Sequence, residues 1–89
     1  MYRVAFSGND FDNYDLDKRR YFLHLPVSVT DLAAIPGGPK TGMRVIIYET
    51  GEMEMEAELE FSQEWDCWMA RAFDDTIVYY PESLPPSFT

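Results

Sequence analysis

Glu52, Glu54, Glu56, Glu58 and Glu60 alternate with Met53, Met55, Ala57, Leu59 and Phe61 without a break. Wound as a helix, this run would scatter its apolar residues and set Glu52, Glu56 and Glu60 against one another at i, i+4 spacings. Extended, it places all five glutamates on one face and all five apolar side chains on the other. The alternation therefore predicts a strand, against the helical propensity of Glu, Met, Ala and Leu, with the apolar row buried and the glutamates solvated. Side chains of one face recur about every 6.6–6.8 Å, so the row is a regular line of carboxylates. Such a line can keep a small protein soluble and block strand addition. It can also dock a basic protein surface, imitating the charge of a nucleic acid.

Other chemistry is weaker. The run from Asn9 to Asp17 is dense in Asp and Asn, but an EF-hand needs glycine at its sixth position and glutamate at its twelfth. Starting at Asn13 those positions hold Lys18 and His24, and starting at Asp10 the fifth position is Tyr14. An ordinary polar turn is the reading that remains. His24 and Cys67 are the only histidine and cysteine, which gives no four-ligand zinc set of nitrogen and sulfur. Cys67 sits between Trp65 and Trp68 beside acidic residues, surroundings that work against a reactive thiolate. Gly37-Gly38 lies between two prolines with a strand predicted after it, whereas a phosphate cradle needs a following helix. No catalytic residue, metal site or cofactor is implied. Lys18-Arg19-Arg20 stands beside four aspartates and reads as locally paired. Large aromatics in loops either fold back on the core or project as contacts. Phe11, Tyr14 and Trp65 are therefore candidate contact residues, together with the glutamate row.

The charge balance supports this emphasis. Seven Lys and Arg against sixteen Asp and Glu give a net charge of −9, and from Glu49 onward only Arg71 opposes the acids. Direct nucleic-acid binding is not expected, whereas a basic protein partner is. A chain of 89 residues, 46% hydrophobic and 16% aromatic, is enough for one domain and too apolar for a disordered acidic tail. The longest aliphatic cluster, Val45 to Tyr48, is far shorter than the roughly 20 apolar residues of a membrane span. The first residues lack a basic leader and apolar run, and the single cysteine fits a reducing compartment. A cytoplasmic location and no membrane association are the expectations.

The elements that position these residues follow from pattern and punctuation. Strands are predicted over Tyr2–Ser7, Arg20–Val29, Gly42–Thr50, Glu52–Phe61, Cys67–Phe73 and Ile77–Tyr80. Pro26 suggests an edge or bulge in the second of these. Ser28 to Asp31 has capping-box spacing ahead of Leu32 to Ile35, which predicts one or two helical turns. Residues 1–80 form one β-rich domain and residues 81–89 a proline-containing tail. The expected fold is all-β, a small antiparallel five- or six-stranded partly open barrel or curved sheet with one short helical turn. Its layout, a long loop after the first strand and then a three-stranded meander, resembles SH3-like small barrels. That resemblance rests on topology without a diagnostic motif, and such barrels host many functions.

The leading expectation is a non-enzymatic interaction protein that binds or inhibits a basic protein through its acidic strand face. The alternatives are a small-ligand binder or enzyme with a pocket at the barrel mouth, or an obligate homo-oligomer of structural role. A deep pocket near His24 would favour the first alternative.

Overall fold

The computed structural model describes residues 1–7, 14–15 and 19–80. Seven strands and one α-helix follow in the order β1 (Arg3–Ala5), β2 (Tyr14–Asp15), β3 (Arg20–Phe22), α1 (Pro26–Ala33), β4 (Arg44–Glu49), β5 (Met53–Ser62), β6 (Cys67–Ala72) and β7 (Val78–Tyr79). A single turn of 3₁₀ helix at Asp74–Thr76 separates the last two strands. Residues 81–89, expected to be a tail, and Phe11 lie outside the described residues.

The glutamate segment is the spine of the sheet, and it is a strand as its alternation requires. Over ten residues β5 pairs antiparallel with β4 along Met53–Glu58 and with β6 along Ala57–Ser62. Gly51 has a φ of 75° in the turn between β4 and β5, a backbone conformation that glycine adopts without a Cβ clash. Beyond Ala72 the chain leaves the ladder, but Glu56 keeps its backbone partners. Its carbonyl accepts from the Phe73 N–H at 2.9 Å, and its own N–H donates to the Thr76 hydroxyl at 2.8 Å. After this interruption β7 resumes pairing opposite Met53 and Glu54.

Two features of the expected fold are corrected. The sheet is open and mixed, with strand order β1-β4-β5-β6-β3-β2 and β7 against β5. It is neither closed into a barrel nor wholly antiparallel, because β1 runs parallel to β4, Arg3 opposite Ile46. A parallel pair needs a long crossover, and the segment between the two strands contains β2, β3 and α1. The second correction concerns Pro26. It opens α1 at the first turn, where its missing N–H interrupts no helical hydrogen bond and its φ suits the helix. The strand predicted to Val29 therefore ends at Phe22.

Ser28 and Asp31 do not form a capping box; they cover the outer edge of β1. The buried Ser28 hydroxyl donates to the Ala5 carbonyl, and the Ala5 N–H donates to the Asp31 carboxylate at 2.9 Å. An otherwise open edge is thus satisfied by side chains of the helix that packs over it. The core lies between α1 and one face of the sheet. Val45, Ile47, Met55, Ala57 and Leu59 supply the sheet side, with Leu32 and Ile35 from the helical segment. Burial of the β5 apolar row is complete in its middle and partial at its ends. Met55, Ala57 and Leu59 are buried, Met53 is half-buried, and Phe61 is 39% exposed. Phe61 lies against Trp68, ring centroids 5.3 Å apart.

Candidate functional site

Glu54, Glu56, Glu58 and Glu60 share the sheet face opposite the core, and the register shows what stands beside them. Tyr48 is opposite Glu54, Ile46 opposite Glu56, and Arg44 opposite Glu58 on β4. On the other side Arg71 is opposite Glu58 and Met69 opposite Glu60. Arg3 comes to this face through its pairing with Ile46, and Arg20 through β3, whose Phe22 is opposite Met69. Arginines from the first half of the chain therefore stand among glutamates from the second. The charge separation visible along the chain is partly undone in space.

Each end of the row is tied into the fold. Glu54 accepts from Arg3 at 3.2 Å and from the Tyr80 hydroxyl at 2.7 Å, and Arg3 also donates to Tyr80 at 2.8 Å. Arg3 lies 4.9 Å from the centre of the Tyr48 ring, and the Tyr48 hydroxyl donates to Asp31 at 2.9 Å. The Tyr80 and Arg3 hydrogen bonds hold the Glu54 carboxyl below its ordinary pKa, and the bond to Asp31 raises that of Tyr48. At the other end Glu60 accepts from Arg71 at 3.1 Å and from Arg20 at 2.8 Å. Arg20 is 2% exposed, so Glu60 answers a cation held out of water. Its carboxyl is lowered first by the Arg71 hydrogen bond and then by the charges of Arg20 and Arg71. In this contact Arg20 reaches a partner forty residues away in the chain.

The middle of the row differs. Among the described residues, Glu56 and Glu58 hold no ion pair. Arg44, opposite Glu58, places its guanidinium 4.1 Å from the centre of the Phe73 ring. Glu58 is exposed and Glu56 half-exposed, and exposed Asp74 and Asp75 stand in the turn whose backbone and Thr76 serve Glu56. Glu52 is exposed in the turn before β5.

The aromatic candidates separate. Tyr14 packs edge-on against Tyr21, centroids 4.6 Å apart, and is half-buried. Trp65 is 54% exposed in the turn between β5 and β6 and lies edge-on to Phe22 at 5.4 Å. Neither adjoins the middle glutamates by strand register. A second feature lies beside His24, where a deep pocket would favour the small-ligand or enzyme alternative; it is open rather than deep, and it depends on how α1 packs. An open, mainly apolar groove of about 410 Å³ runs between α1 and the ends of β3, β5 and β6. Leu23, Val29, Leu32, Phe61 and Trp68 supply its walls, with His24, Asp66 and Cys67 on its lining. Burial pushes the Cys67 thiol up, against a thiolate role. Among the described residues no group of three or more His, Cys, Asp and Glu is arranged to hold a metal ion. No helix among them is long and apolar enough to cross a membrane.

No protein-family model matches the chain, and no curated protein and no solved structure matches it.

Proposed function

We propose that this is a non-enzymatic interaction protein that binds a basic protein, and can inhibit it by occupying its cationic surface. The docking surface is the middle of the glutamate row, Glu56 and Glu58, extended by Glu52 and the turn acids Asp74 and Asp75. The observation that carries this reading is the contrast within the row: Glu54 and Glu60 are held by arginines, whereas Glu56 and Glu58 are not. Carboxylates fixed on a central strand meet a cationic partner with little further ordering, and the net charge of −9 favours the encounter.

Affinity capture from the native host tests the reading with wild type, the double reversal Glu56→Lys with Glu58→Lys, and a control reversal at Glu82. Reversing both charges adds repulsion to the loss of attraction. Wild type and the control should recover the same basic protein, and the folded double reversal should not. Equal recovery by all three would reduce the glutamate face to a solubilising surface.

A further inference from the structure

We propose that the groove between α1 and the β3–β6 end of the sheet receives an amphipathic, positively charged segment of the partner, its apolar face inward. The sign of the partner's charge rests on the proposed function; the site is a separate surface. The groove, about 410 Å³, is open rather than enclosed, and that shape suits side chains presented from one face of a peptide better than a sequestered small molecule. Val29 and Phe61 are 52% and 39% exposed on its walls. Seating an apolar side chain there removes surface that the fold alone leaves in water.

Charge complementarity selects the occupant. Among the described residues, Asp66 is the one carboxylate on the lining, and no lysine or arginine lines the groove. Glu64, in the same turn, is exposed like Asp66. An anionic amphiphile would find apolar walls and a repelling rim, whereas a segment with lysines flanking its leucines meets both features. Asp66 is held at a φ of 51°, a region that Asp and Asn tolerate better than other side chains. The rim charge can therefore be removed as Asp66→Asn without disturbing the turn.

The test titrates the intact protein with a designed amphipathic Leu/Lys helical peptide and with a Leu/Glu peptide of the same apolar pattern. Binding is followed by the alkylation rate of Cys67 and, in a Trp65→Phe background, by the emission of Trp68, both of which line the groove. The Leu/Lys peptide should shift the emission and slow alkylation; the Leu/Glu peptide should do neither. Val29→Asp places a charge on the exposed wall and should weaken binding by about tenfold or more. Asp66→Asn should weaken it about two- to fivefold. Phe61→Gln, a second change at an exposed wall position, should reproduce the Val29→Asp loss. The inference is overturned if the wall variants fold and bind as wild type does, or if the Leu/Glu peptide binds equally. It is also overturned if dodecylamine protects Cys67 as well as the peptide does. Self-association of wild type that Val29→Asp abolishes would overturn it too, by assigning the groove to a second copy. The two surfaces are distinguished by the Glu56→Lys, Glu58→Lys protein. If that variant loses the peptide while Val29→Asp keeps it, the groove inference fails and the acidic face stands; the opposite result upholds the groove and leaves the acidic face without support.

Discussion

The glutamates at the ends of the β5 row and those in its middle share a residue type, a strand and a face, yet they have different partners. Glu54 and Glu60 fasten distant parts of the chain, Arg3 and Tyr80 at one end and Arg20 and Arg71 at the other. Glu56 and Glu58 are held through their backbone in the centre of the sheet and, among the described residues, hold no ion pair. An acidic strand is therefore not one surface. Alternation decides which way the carboxylates face, and the register of the neighbouring strands decides which of them remain available.

The largest effect should come from the other face of the same strand. Leu59 is fully buried, and Leu59→Ala should cost about 2–5 kcal/mol in a denaturant titration, a scale against which the glutamate changes can be read. Glu60→Gln should follow, losing about 1–3 kcal/mol because buried Arg20 loses a charged acceptor. The same substitution sharpens the comparison through pH. Glu54 and Glu60 both have pKa values below the ordinary 4.5, so their stabilisation is fully present above that value and is lost as pH falls below it. Glu60→Gln should flatten the acid limb of stability against pH. Tyr80→Phe should have the smallest of these effects, about 0.5–1 kcal/mol, because it removes one hydroxyl from a half-exposed cluster. A loss as large as that of Glu60→Gln would mean that the Arg3 end is the stronger fastening.

Much of this was legible in the sequence, but unevenly. The strand identity of residues 53–62 and the burial of Met55, Ala57 and Leu59 follow from a period of two. The face of each glutamate follows as well. The end of the row at Phe61 did not, because its cover depends on where α1 lies. Pro26 was misplaced because the same residue punctuates a strand edge and opens a helix. The parallel pairing of β1 with β4 is a long-range choice that local pattern does not encode. Arg3 and Arg20 were visible as residues, but their meeting with Glu54 and Glu60 depends on register between strands far apart in the chain. The apolar groove has no linear signal, since its walls come from β3, α1, β5 and β6.

The division of the glutamate row is tested most directly by unfolding two double variants in urea at neutral pH, Glu54→Gln with Glu60→Gln and Glu56→Gln with Glu58→Gln. Both remove the same number of charges from the same face. The end pair should lose about 1–3 kcal/mol or more, since both members accept charge-assisted hydrogen bonds. The middle pair should stay within about 0.5 kcal/mol of wild type. Equal losses, or a larger loss from the middle pair, would contradict the account by showing that Glu56 and Glu58 are fastened into the fold as firmly as their neighbours.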